Sequence, residues 1–433
     1  MNPILPLDQY IPDVEAHMCS DGRLYLYGSM DIRGNNTWCS REYKVFSTED
    51  LKHWTDHGIS FSTVQGKAGV FEESFLYAPD CIEKDGKHYL YFCTAAPEGK
   101  GIEGGEGVAV SDNPYGPFEN AKAITVANGD GIDPAVFTDD DGETYLYWGQ
   151  FRLRGARLKK NMCELDENTL HTDIINEEGH GFHEGSSMRK RNGIYYLIYA
   201  DDSSGKPTRL SYVMGKTPFG PFDRKGIIID NIGCDPSVWN NHGSIAEFNG
   251  QWYVFYHRSA YNERYNRRVC AEPITFNEDG SINRVEMTTQ GIDGLMNPGI
   301  KMEACRACLL SANAYIERTG EEEYIRAVTD GDSAVFKYYA FDGTHNTFTV
   351  MVKGGAQDGR IEVRLDNETG ELLGNCDIAG GQERRQWNAF SCRIKPAEGK
   401  HGLCLVFRGS GRDLFLCKEF WFGAMIDVYK RQG

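Results

Sequence analysis

Acidic side chains recur in this 433-residue chain at one kind of place, just ahead of a short apolar run that leads into a polar turn. Asp13 stands in YIPDVEAH, Asp80 in YAPDC, Asp133 in GIDPAVF and Glu184 in FHEGSSMRK. A fifth phrase, NHGSI, offers His242 where the others carry an acid. Carboxyls gathered in one small volume cannot all ionise cheaply, so their pKa values are driven apart. One acid held protonated beside one held ionised is the equipment for cleaving a glycosidic bond. Each residue also has a plain reading. Asp13 after Pro12 and Asp133 before Pro134 could be turn residues, although Asp139 to Asp141 already supply the turn that follows Asp133. Asp139, Asp140, Asp141 and Glu143 read as solvated turn residues.

The elements that must position these groups are written five times. The phrases are DGRLYLYG (Asp21 to Gly28), DGKHYLYF (Asp85 to Phe92), DGETYLYW (Asp141 to Trp148), NGIYYLIY (Asn192 to Tyr199) and NGQWYVFY (Asn249 to Tyr256). Each opens on Asp-Gly or Asn-Gly and then alternates at period two, the signature of a hairpin turn and its second strand. Outer elements repeat as well, Pro114 to Phe118 matching Pro218 to Phe222. Five units of about four strands predict a five-bladed β-propeller, with the first strand of each blade lining the channel so that the five phrases converge on one mouth. Unrelated hairpins in a sandwich are the alternative.

These motifs are similar to those of glycoside hydrolase family 43, over roughly Asp8 to Gly291. The resemblance implies a propeller acting mainly on arabinose- and xylose-containing polysaccharides by inversion. It makes Asp13 the general base, Asp133 the group that orients the acid and modulates its pKa, and Glu184 the general acid. Base and acid carboxyls in an inverting enzyme lie about 6.5–9.5 Å apart, leaving room for water. The resemblance further implies a pocket-supporting, substrate-side role for Asp80. It also implies a calcium ion on His242, with His257 as second candidate and a hydrogen-bonded channel histidine as the plain reading. Arg267 or Arg268 would meet the sugar hydroxyls, unless either is a salt-bridged surface residue. Trp38, Phe71, Tyr77 and Trp148 are candidates for the sugar platform, against the plain reading of core aromatics. No organic cofactor is implied.

Beyond Gly291 the rhythm stops. The sequence predicts a propeller over residues 1–296, a linker over 297–302 and an all-β sandwich over 303–424, with the tail 425–433 unassigned. GRIEVRLDNETGELLG, Trp387 and HGLCLVFRG resemble a family 6 carbohydrate-binding module, which implies a calcium ligand at Glu303. Trp421 reads as core and no sugar-binding aromatic pair is evident, so the sandwich is expected to brace the propeller and to close one wall of the site.

The net charge of −17 argues against a nucleic-acid partner. No stretch approaches the ~20 apolar residues that span a bilayer. Thirteen cysteines without a framework suit a reducing compartment, and Cys305 and Cys308 read as core thiols rather than zinc ligands. The opening MNPILPLDQYIPD has no basic stretch followed by an apolar run, so a cytoplasmic protein is expected. The expected function is an exo-glycosidase releasing α-L-arabinofuranosyl or β-D-xylosyl units from hemicellulose or pectin side-chain oligosaccharides. The alternatives are an endo-arabinanase and a sugar-binding propeller. Fructan-cleaving propellers carry Asn-Asp-Pro-Asn-Gly, Arg-Asp-Pro and Glu-Cys motifs, none of which occurs. Oligomeric state is not legible.

Overall fold

A computed structural model describes residues 1–64, 66, 68–96, 99–126, 131–234, 241–311, 313–355, 357–381 and 386–424. The tail 425–433 lies outside them. Five antiparallel sheets follow one another along the chain, and their first strands are Glu15–Met18, Asp80–Lys84, Ala135–Thr138, Phe182–Arg191 and Ser244–Phe248. These innermost strands neighbour one another around a ring, the first touching the second and the fifth. This is a five-bladed propeller.

Turn chemistry closes the inner hairpins of blades two, four and five. Asp85-Gly86, Asn192-Gly193 and Asn249-Gly250 have positive φ at both residues and close two-residue hairpins, Lys84 facing Lys87, Arg191 facing Ile194 and Phe248 facing Gln251. A right-twisted hairpin favours that turn, which asks for Asn or Asp followed by Gly.

Both faces of a blade are covered by its neighbours, so alternation does not separate inside from outside. Leu24 and Leu26 pack with Phe255 and Val269 of blade five, while Tyr25 and Tyr27 pack with Leu90 and Phe92 of blade two. Trp148 lies between blades two and three with Tyr91 and Val108. The ring is shut by the first residues of the chain. The Ile4 N–H donates to the Val269 carbonyl at 3.0 Å, and the Ala271 N–H donates to Asn2 Oδ1 at 2.9 Å, which adds the N-terminal segment to blade five.

The second domain is a sandwich. One sheet contains Tyr315–Thr319, Glu322–Ala327, Phe415–Gly423, Thr347–Gly354 and Asn388–Arg393; the facing one contains Ser333–Asp342, Glu398–Gly409, Gly359–Leu365 and Leu372–Ile378. Phe336, Phe348, Phe407, Phe420 and Phe422 fill the space between them. Trp421 is not core. It points away from the face that Phe420 and Phe422 bury, and Lys301 Nζ sits 4.6 Å from its ring. The connector expected at 297–302 is itself paired. The Phe422 N–H donates to the Pro298 carbonyl at 3.1 Å, and Met302 pairs with Phe420. Cys305 and Cys308 are buried free thiols.

Candidate active site

At the channel mouth the inner strands enclose a cavity of about 300 Å³ lined by Asp13, Asp133 and Glu184, with Trp38, Tyr77, Gln150, His242 and Arg267 around them. Asp13 precedes the first inner strand with φ 56°, and Asp133 precedes the third with φ 52°. Left-handed backbone outside glycine is uncommon and clusters at functional sites. Glu184 is aimed by other means. Its strand loses register on both sides of it, between Phe182 and Glu184 and again before Ser187, and such bulges re-aim side chains.

Asp13 is the most heavily held group. Arg267 Nη1 donates to Asp13 Oδ1 at 2.7 Å, and the Ser29 hydroxyl donates to Oδ2. Arg267 is fixed in turn by Asp31, which accepts from Nε and Nη2 at 2.9 Å each and from the Arg267 backbone N–H at 2.9 Å. Burial pushes the Asp13 carboxyl up, but the Arg267 guanidinium, His257, His242 and Ser29 outweigh it and hold it below its ordinary value. Asp133 goes the other way. Burial, with the charges of Glu184 and Asp13 added, lifts it well above the carboxylate range despite a bond from the Gly185 N–H. Its own N–H donates to Cys93 Sγ at 3.2 Å. Gln150 Nε2 donates to Glu184 Oε2 at 2.7 Å. The mouth thus holds a carboxylate kept ionised, one kept protonated and a third that accepts from the Gln150 amide.

Trp38 and Tyr77 are half-buried on the lining, and the Arg267 guanidinium carbon lies 4.7 Å from the Trp38 ring. The other two aromatics named from sequence are corrected. Phe71 is 1% exposed and meets Phe92 edge-on, and Trp148 is fully buried between blades. Of the two arginines, Arg267 reaches the cavity and Arg268 faces the sandwich, because consecutive extended residues point to opposite sides. Asp80 lies below the mouth and touches no substrate space. Its Oδ1 meets His17 Nε2 at 2.6 Å and its Oδ2 accepts from the Val136 N–H at 2.7 Å, tying blades one, two and three together.

Calcium favours six to eight oxygens, so an ion on His242 would draw most of its shell from water. His242 is kept uncharged, mainly by burial, but the adjacent Asp13 is committed to Arg267. Deeper in the channel Glu15, His17 and Asp80 lie close together, yet Arg189 Nη2 donates to Glu15 Oε2 at 2.7 Å and supplies the positive charge itself. Burial pushes Glu15 up to about 8. In the sandwich, Glu303 is exposed and accepts from Arg306 Nε at 2.6 Å. Among the described residues no metal-spaced cluster includes His242 or Glu303.

Sequence reasoning missed Asp31, Gln150 and Ser29. Gln150 was within reach, two residues beyond Trp148 at the head of an inner hairpin. Asp31 lies in a loop, GSMDIRG, whose spacing to Arg267 no periodicity reports.

The fold and the mouth together define an acid–base enzyme on a propeller, with a sandwich domain attached. Residues 1–282 match the family model for glycosyl hydrolases family 43, and residues 309–424 match that for carbohydrate binding module family 6. A xylosidase/arabinosidase of Thermoclostridium stercorarium is 31% identical, over 95% of this chain and 96% of that protein. Among solved structures, a Bacillus subtilis arabinoxylan arabinofuranohydrolase in complex with cellotetraose is similar over 98% of this chain and 97% of its own, at 25% identity and TM-score 0.56. A family 43 β-xylosidase/α-arabinofuranosidase from a compost metagenome, in complex with xylotriose, matches 66% of this chain and 97% of its own at 30% identity and TM-score 0.57. The chain belongs to glycoside hydrolase family 43.

Proposed function

We propose that this glycoside hydrolase is an inverting exo-enzyme that releases terminal α-L-arabinofuranosyl units from arabinoxylan- or arabinan-derived oligosaccharides, with β-D-xylosyl units as the second substrate. The observation that carries the reading is the electrostatic split at the mouth, where Arg267 keeps Asp13 ionised and burial keeps Asp133 protonated. Asp13 takes a proton from a water that attacks the anomeric carbon. Glu184 gives a proton to the departing glycosidic oxygen, leaving a free sugar of inverted configuration, an alcohol, a protonated Asp13 and an ionised Glu184. Proton exchange with solvent resets both. Asp133 keeps its proton because burial and the neighbouring carboxyl charges disfavour its ionised form. Trp38 and Tyr77 are the faces for the sugar ring. The cavity's ~300 Å³ is at the small end for ligand sites, which suits one terminal sugar better than a chain lying across a groove. The relatives' names divide between xylose and arabinose, and both sugars present similar hydroxyls at the cleaved bond.

The test is hydrolysis of aryl α-L-arabinofuranoside and aryl β-D-xyloside by the wild type and by Glu184→Ala. Turnover of either that collapses in the variant supports the reading, and the ratio names the preferred sugar. Folded wild type that cleaves neither but shortens linear arabinan would replace the exo reading with an endo one.

A further inference from the structure

A single carboxylate oxygen of the sandwich gathers three groups of the propeller. Glu323, in the strand Glu322–Ala327, accepts through Oε1 from Tyr10 Oη at 3.1 Å, from Tyr261 Oη and from Arg268 Nη2. Arg268 Nη2 also donates to Tyr10 Oη at 2.9 Å and to Tyr261 Oη at 3.1 Å, and its guanidinium carbon lies 4.7 Å from the Tyr10 ring. The Glu323 side chain is 8% exposed and that of Arg268 3%.

Two of these partners lead straight to Asp13. Tyr10 stands three residues before it, and the Tyr10 carbonyl accepts the Asp31 N–H at 3.0 Å, fixing the carboxylate that clamps Arg267. Arg268 follows Arg267 and points the opposite way, so anchoring Arg268 sets where Arg267 can sit. The sandwich therefore grips both sides of the Asp13–Arg267–Asp31 assembly from behind.

We propose that Glu323 is a positioning residue: through Tyr10 and Arg268, the sandwich domain holds Arg267 against the catalytic base. This rests on Asp13 being that base. Removing one partner of a buried ion pair leaves the other charge uncompensated, so Arg268 must shift toward water or another acceptor. Arg267 moves with it, and its hold on the Asp13 charge weakens with distance.

A merely structural contact would lower stability and leave the titration of the site alone, and the pH profile separates the two. The acid limb of kcat/KM reports the free-enzyme base. In the full chain, Glu323→Ala and Glu323→Gln are compared with Glu321→Ala, whose carboxylate pairs with Arg33 at the solvent-exposed rim of the same interface. On whichever aryl glycoside is cleaved, Glu323→Ala should move the acid limb up by about half a pH unit or more, cutting kcat/KM on that limb about threefold or more. The alkaline side should change far less, Glu323→Gln should shift the same way, and Glu321→Ala should not shift. Folded Glu323 variants with an unmoved acid limb would overturn the proposal; if Glu323→Ala does not fold, Glu323→Gln decides. Asp13→Asn with undiminished activity would instead overturn the base assignment, and this inference with it.

Discussion

Asp13 and Asp133 share a left-handed backbone and a place at the head of an inner strand, yet their charges are set in opposite directions. The difference is one arginine. Arg267 reaches Asp13 at 2.7 Å, while Asp133 has carboxylate neighbours and a backbone N–H. Asp133→Asn removes the buried carboxyl beside the acid and should lower kcat more than it raises KM; undiminished kcat would separate Asp133 from the reaction. Asp13→Asn, which cannot accept the water's proton, should cost ~10²–10⁴ in kcat, with KM little changed. Trp38→Ala should raise KM more than it lowers kcat, since the ring lines the cavity and carries no proton; equal losses in both would contradict a platform role.

At the scale of elements, the bulged inner strand of blade four matters most. Gly185 follows Glu184 with φ +66°, and a Cβ there would lie 2.8 Å from His242 Cγ. Gly185→Ala should cost about 1–3 kcal/mol by denaturant unfolding, and activity should fall further because the Gly185 N–H and Asp133 are displaced together. Wild-type stability and activity in that variant would show that the bulge does not hold the site. The acids could be read from the sequence because each precedes a hairpin whose turn residues repeat, so position within a blade follows from counting. The aromatics could not. Neighbouring blades bury both faces of every strand, and period two then tells Leu146 and Trp148 from Tyr145 and Tyr147 without telling which face meets substrate. Arg267 and Arg268 posed the same ambiguity, settled only by the sandwich that claims Arg268. Asp31 was illegible because its partner is 236 residues away along the chain, in blade five, which ring closure alone brings beside blade one.

Across the whole molecule, buried acids set the response to pH. Burial pushes Glu15 to about 8 and Glu272 to about 7, and lifts Glu106 and Asp133 well above the carboxylate range. Between their unfolded and folded pKa values the native state binds more protons than the unfolded chain, so stability falls as pH rises through that window. Burial depresses His17, His88 and His242, which makes the unfolded chain the better proton binder below about pH 6.5. Above about pH 6.5 the unfolded histidines no longer bind protons and the acids' trend remains, so Tm should fall from about pH 6.5 to 8; a Tm rising steadily over that range would contradict it. The net charge of −17 adds repulsion in the same alkaline direction.

The most direct test of the account is the configuration of the first sugar released, followed by proton NMR before mutarotation. With Asp13 activating water and Glu184 protonating the leaving oxygen, the product must appear first as the anomer opposite to the substrate. A first product of retained configuration would make one carboxylate a nucleophile and contradict the central claim.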